Sequence, residues 1–193
     1  MKHLTDINFI KGYLRNTLSP KRYNHSENTA KTAVRLAKIY HQDSQKAYIA
    51  GLVHDCTREL EIEIQQSMLV SLGIQVDELT YNIKELLHAH TAEYSIRNEF
   101  RIFDEDIISA VRFHTTGKEN MTLLEKILFL SDVMEPSRIF PGVEYIRSLS
   151  LKNIDEAMIA AFDSSIRFLI GKRSLIHSNT FLARNYILKQ IKE

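Results

Sequence analysis

The chain has 193 residues, 44% hydrophobic and 25% charged, which is ordinary globular composition and the length of one domain, assigned to 1–193. Its 25 Lys and Arg against 24 Asp and Glu leave a formal charge of +1, without the basic excess expected of a nucleic-acid or anionic-membrane binder. One cysteine, Cys56, excludes an intrachain disulfide and a thiolate metal cluster, and neither an apolar signal core in MKHLTDINFI nor an 18-residue apolar run is present, so a cytoplasmic protein with no membrane partner is expected.

The hydrophobic period is helical almost throughout and no segment alternates as a strand, which makes the class all-α. A first helix is expected from about Thr5 to Leu18. Ser19-Pro20 reads as an N-cap and first-position proline for a second, about 20–40, with Ala30, Ala33, Val34 and Ala37 as its apolar stripe. A third runs over about 44–58, and a fourth over about 61–71 stops before Gly73. Shorter pieces are expected at about 77–87 and 91–100. Asp104 caps a helix reaching His114, and Thr122 caps another to about Met134, with Glu125 completing a capping box. EPSRIFPGV is a loop, and helices follow at about 153–170 and 180–192.

Polar residues on the apolar faces of these helices carry the functional signal. Ala47, Ala50, Gly51 and His54 share one face, and Asp55 follows His54 directly. Ile107, Ala110, Val111 and His114 share another; Leu128, Phe129 and Asp132 share a third. A carboxylate carried inward is costly unless paired or bound to metal, so Asp55 and Asp132 both need partners. Imidazoles with carboxylates suit a divalent transition ion, and His25 on the second helix supplies one more imidazole. A lone histidine on an apolar face is most often a satisfied core histidine. The joint occurrence of a His-Asp doublet with His25, His114 and Asp132 argues against packing alone.

Cations stand near these positions. Arg22 precedes His25 by one helical turn and Arg58 follows Asp55 by three residues, where a phosphate contact competes with an ordinary solvated charge. Thr115, with Thr116 and Gly117, offers a hydroxyl and freed amides at a helix end, or simply a helix stop. Arg138 sits between two prolines, where it meets phosphate or pairs with Glu135. His177, Ser178 and Asn179 could cradle a nucleotide, or Asn179 could cap the last helix. Cys56 reads as a packing residue.

The pattern H…HD…D, here His25, His54-Asp55 and Asp132, resembles the HD-domain metal-dependent phosphohydrolases, whose fold is a helical bundle. YNHSENTAKTAVRLA, AGLVHD, ELLHAHTAEYSIRNEF, AVRFHTTGKENM, LFLSDVMEPSRIFPGVEYIRSL and the tail SLIHSNTFLARN are similar to one branch, the YqeK family of symmetrical bis(5′-nucleosyl)-tetraphosphatases. HTTG with SDVMEPSR is the specific part of that likeness; the His-Asp doublet alone is not. The resemblance implies cleavage of diadenosine tetraphosphate to two ADP by a metal-bound hydroxide, with His25, His54, Asp55 and Asp132 as catalytic residues. It implies two metal ions, typically iron, on His25, His54, Asp55, His88, His114 and Asp132, with Asp55 bridging; manganese, zinc and nickel suit the same donors. It places nucleotide contacts on Arg22, His25, Arg58, His114, Thr115, Asp132, Arg138, Leu175, Ile176, His177, Ser178, Asn179 and Thr180, and suggests a homodimer. The chain departs from the family pattern at Arg58, usually Lys, and at Ser178, often Pro.

Periodicity and resemblance disagree at one position. An unbroken helix would align Ile83, Leu86, Leu87 and His90 on its apolar face, whereas the resemblance selects His88. Two other functions remain open: a different HD phosphohydrolase acting on nucleotides, and a metal-dependent nucleotide-binding module without turnover. A plain helical interaction protein would not require six such ligands.

Overall fold

The computed structural model describes residues 6–192. Among them are eleven helices and no strand: α1 (Ile7–Thr17), α2 (Pro20–Ile39), α3 (Ser44–Val53), α4 (Ile62–Leu72), α5 (Glu78–Asn82), α6 (Lys84–Asn98), α7 (Glu105–Arg112), α8 (Leu123–Met134), α9 (Val143–Ser150), α10 (Ile154–Gly171) and α11 (Ser178–Lys192). The expected caps are in place. Ser19 accepts from the Arg22 amide ahead of Pro20, Asp104 accepts from two amides of α7, and Thr122 and Glu125 form the reciprocal capping box of α8. No helix among the described residues is long and apolar enough to cross a membrane.

The tightest seam lies between α2 and α3. Ala30, Ala33 and Ala37 of α2 meet Ala47, Ala50 and Gly51 of α3, all buried. A Cβ on Gly51 would stand 2.6 Å from the Ala30 Cα, so only glycine allows these backbones to approach so closely. α7 and α8 pack on this pair, α6 packs on α7, and α4 and α5 pack on α6. Through α10, helices α9 and α11 form an outer layer on α8. Phe162 of α10 is fully buried against Phe129 of α8, ring centroids 4.6 Å apart. Gly117, at φ +66°, turns the chain under Phe162, whose ring carbon would lie 2.7 Å from any Cβ there.

Several boundaries differ from expectation for local reasons. Thr5, the expected start of the first helix, lies outside the described residues, and α1 begins behind the Asp6 cap. The third helix ends at Val53 rather than near Arg58. Beyond it, the Cys56 amide bonds the Val53 carbonyl and the Arg58 amide bonds the Asp55 carbonyl, tight three-residue turns in place of helix. The break expected near 88–90 falls at Ile83, which is extended and starts α6. α7 stops at Arg112, two residues before His114. α9 is unanticipated: Val143 and Ile146 bury its short apolar face behind Gly142 at φ +94°. α11 starts at Ser178, two residues early, and the Asn179 amide donates to His177 Nδ1, so His177 rather than Asn179 serves that helix end.

Gly51→Ala should therefore destabilise the fold by about 1–3 kcal/mol in urea unfolding, since overpacking here meets backbone. Gly12, in α1 with nothing within 4 Å of its Cβ position, is the control. Gly12→Ala should be neutral or stabilise by up to about 1 kcal/mol through helix propensity. Equal effects at the two sites would contradict the seam.

Candidate metal centre

Five pieces of chain deliver polar side chains to one buried point. His25 comes from α2, His54 and Asp55 from the turn after α3, His88 from α6, His114 from just past α7, and Asp132 from α8. The α2–α3 seam brings His25 Nε2 to 3.2 Å from His54 Nε2. On the other side, His88 Nε2 lies 3.1 Å from His114 Nε2. Asp55 stands between the two pairs. Its Oδ2 is 3.6 Å from His25 Nε2 and 3.5 Å from His54 Nε2; its Oδ1 is 3.0 Å from His88 Nε2 and 3.8 Å from His114 Nε2. Asp132 Oδ1 closes the first side, 2.9 Å from His25 Nε2 and 3.8 Å from His54 Nε2. Three overlapping groups of these residues have ligating atoms within 4.8 Å of one another: His25, His54 and Asp55; His54, His114 and Asp132; and Asp55, His88 and His114.

The outer ring nitrogens fix the tautomers. His54 Nδ1 donates to the Gly51 carbonyl at 2.8 Å, and His114 Nδ1 donates to the Val111 carbonyl at 2.6 Å. Both carbonyls belong to helix ends, where the last C=O groups lack intrahelical partners. His25 Nδ1 donates to Glu135 Oε1 at 3.1 Å. Each bond turns an Nε2 lone pair inward, the arrangement that orients imidazole toward metal. Facing lone pairs at such distances repel one another, and a cation between them makes the contact favourable. His88 differs. Its Nδ1 meets Arg58 Nη1 at 3.2 Å, and a guanidinium only donates, so here Nε2 carries the hydrogen toward Asp55.

Protonation states agree with a cation site. Burial pulls the His54 pKa down to about 3, and burial also lowers His88, so both rings are neutral. Burial opposes the charge of Asp55, but the imidazoles around it hold its pKa well below the carboxylate range. Asp132 is likewise held low against its burial by His25 and Arg138. His25 is lowered by burial and raised more by Asp132, with a net upward shift. Neutral imidazoles and ionised carboxylates are the forms that bind metal, and this borderline N/O donor set fits divalent transition ions.

Cations ring the cluster. Arg22 Nη1 donates to Asp55 Oδ2 at 2.6 Å. Arg138 Nη2 donates to Asp132 Oδ1 at 2.5 Å and its Nε to the Asp132 carbonyl at 2.9 Å. The carboxylate paired closely with Arg138 is thus Asp132, while Glu135, the expected partner, lies 3.9 Å from Nε. Arg22, Arg58 and Arg138 are all partly exposed. Thr115 is half-buried beside His114. The tail stands apart in its bonding: His177 Nε2 lies 3.0 Å from Asp77 Oδ2, Thr180 is buried, and Leu175 is exposed. His90, the choice of periodicity, belongs to none of these groups; burial and the charge of Arg112 pull its pKa down to about 4. With Ile83 outside the helix, the buried face of α6 is Leu87, His88, Thr91, Ala92 and Ser95. Sequence reasoning missed Glu135 as the partner of His25. The available signal was a carboxylate one helical turn past Asp132, directly before Pro136.

The chain is similar to known proteins. The HD domain family matches residues 22–137. A protein of Halalkalibacterium halodurans named bis(5′-nucleosyl)-tetraphosphatase, symmetrical, is 40% identical over 91% of this chain and 93% of its own. Its namesake in Bacillus subtilis is 34% identical over 89% of this chain and 91% of its own. The crystal structure of an HD superfamily hydrolase from Clostridium acetobutylicum, described as involved in NAD metabolism, superposes with a TM-score of 0.92 at 40% identity, covering 96% of this chain and 98% of that one. With the family match spanning every residue of the buried cluster and the relatives spanning most of the chain, this protein belongs to the HD-domain family, in the branch that holds the symmetrical bis(5′-nucleosyl)-tetraphosphatases.

Proposed function

We propose that this protein hydrolyses diadenosine tetraphosphate symmetrically, giving two ADP, at a centre that holds two divalent metal ions. The observation that carries the reading is Asp55, whose Oδ2 faces His25 and His54 and whose Oδ1 faces His88 and His114. One ion would be held by His25, His54, Asp132 and Asp55, the other by His88, His114 and Asp55. Iron is the expected metal, with manganese, zinc and nickel as alternatives. Divalent ions there would lower the pKa of bound water toward about 7 and neutralise charge developing on phosphate oxygens.

The chain's own residues would supply the rest. Arg22, Arg58 and Arg138 would grip the tetraphosphate oxygens bidentately as it replaces their present partners. Guanidinium does not release a proton readily, so these cations neutralise the departing ADP rather than protonate it. His88 can serve as a ligand only with the hydrogen on Nδ1. Nδ1 and Arg58 are then both donors and part, which frees Arg58 for phosphate. Glu135 keeps His25 Nε2 aimed inward. Thr115 and residues 175–180 would contact the nucleotide ends. With a single buried cysteine, the chain suits a reducing cytoplasm.

The test is product analysis. Metal-loaded protein with diadenosine tetraphosphate should yield ADP alone, and a chelator should abolish turnover. ATP plus AMP would move the attacked phosphorus and reject symmetrical cleavage. NAD+ belongs in the same assay because of the Clostridium relative's description; turnover of NAD+ in preference to the tetraphosphate would replace the proposed substrate.

The two histidines of α6 give a second test. His88→Ala should lower the metal-to-protein ratio while His90→Ala leaves it unchanged, both read by elemental analysis of the purified variants. Full metal content in His88→Ala would remove that residue from the centre.

A further inference from the structure

We propose that Arg147 is a positioning residue of the metal centre, acting through the loop that carries Glu135 and Arg138. The inference rests on the proposed metal-binding role of the cluster and adds a residue that neither sequence pattern nor relatives' names assign. α8 ends at Met134, and its last carbonyls need partners that a following chain would normally supply. Pro136 has no amide hydrogen, the Ser137 amide is committed to Glu135 Oε2 at 2.7 Å, and the Arg138 amide bonds the Glu135 carbonyl at 2.9 Å, which leaves the Met134 carbonyl to be served from elsewhere. Arg147, projecting from α9, takes over the capping. Its Nε donates to the Met134 carbonyl at 2.9 Å, and its Nη2 donates to the Glu135 carbonyl at 2.8 Å and the Arg138 carbonyl at 3.0 Å. Its Nη1 pairs with Glu144. A positive charge at the C-terminal end of α8 also suits that helix's dipole.

One planar group thereby ties three carbonyls across five residues of loop. Two residues of that span face the centre: Glu135 holds His25 Nδ1, and Arg138 holds Asp132. Arg147 itself bonds none of the six clustered residues. Lysine could not reproduce the fork, because an ammonium is a point donor that reaches fewer of these oxygens.

The experiment titrates Mn2+ into the metal-free full chain and into Arg147→Met, Arg147→Lys, Glu135→Gln and the Glu135→Gln/Arg147→Met double variant, with helical circular dichroism as the folding check. Arg147→Met should bind Mn2+ about tenfold more weakly, as losses of outer partners of metal ligands do, with Arg147→Lys between it and the wild type. Because Arg147 acts in part through Glu135, the loss in the double variant should be clearly smaller than the product of the two single losses. Wild-type affinity in Arg147→Met, or losses that multiply in the double variant, would overturn the proposal and leave Arg147 a purely structural residue. Should Arg147→Met not fold, Arg147→Lys decides, and wild-type affinity there overturns it. The readout is separate from turnover. Mn2+ bound by the wild type without tetraphosphate hydrolysis would sink the proposed activity and leave this inference standing; no Mn2+ binding by the wild type would sink both.

Discussion

Asp55 is a carboxylate only 3% exposed, in the middle of a helical interior, and the site is organised around keeping it charged. Several kcal/mol is a typical effective penalty for burying such an ion. One guanidinium, Arg22, meets it at 2.6 Å, and four imidazoles surround the rest. Three of the four turn Nε2 lone pairs inward. A carboxylate and inward-facing lone pairs share one remedy, positive charge at the centre. The same geometry that makes this interior expensive as packing makes it cheap as a metal site.

The backbone is built to allow this convergence. Side chains in mid-helix are spaced by the helix itself, so a tight cluster needs helix ends or unusually close helices. This fold uses both. His54, Asp55 and His114 sit just beyond helix ends, where spare carbonyls at Gly51 and Val111 lock two of the rings. His25 reaches them because the Gly51–Ala30 contact leaves no room for a side chain between α2 and α3. The end of α8 is served from outside by Arg147, which links the outer helical layer to the loop beside the centre. Capping, packing and chemistry thus meet at the same residues.

Most of the helices were legible because their caps are side chains: Ser19, Asp104 and Thr122 mark their starts in the sequence and in space alike. Local periodicity placed His25, His54, His114 and Asp132 on apolar faces but could not choose between His88 and His90. That choice depends on which face of α6 packs: against α4 and α7 the buried side runs through Leu87, His88, Thr91 and Ala92, while Leu86 and His90 stay only partly buried, a tertiary outcome. α9 was hidden because it is only eight residues long, with Val143, Ile146 and Leu149 giving barely two turns of period behind the Pro-Gly loop. Glu135 shows in the sequence only as one alternative partner of Arg138, the other being phosphate; its tie to His25, 110 residues away in the chain, leaves no local trace. The Asp77–His177 contact spans 100 residues and was invisible for the same reason.

The central claim is that Asp55 joins two metal positions in one buried centre. Anomalous diffraction from crystals of the full chain grown with Mn2+ tests it most directly. The account predicts two peaks flanking Asp55, one among His25, His54 and Asp132 and the other between His88 and His114. A single peak on one side, or none within bonding reach of Asp55, would contradict it.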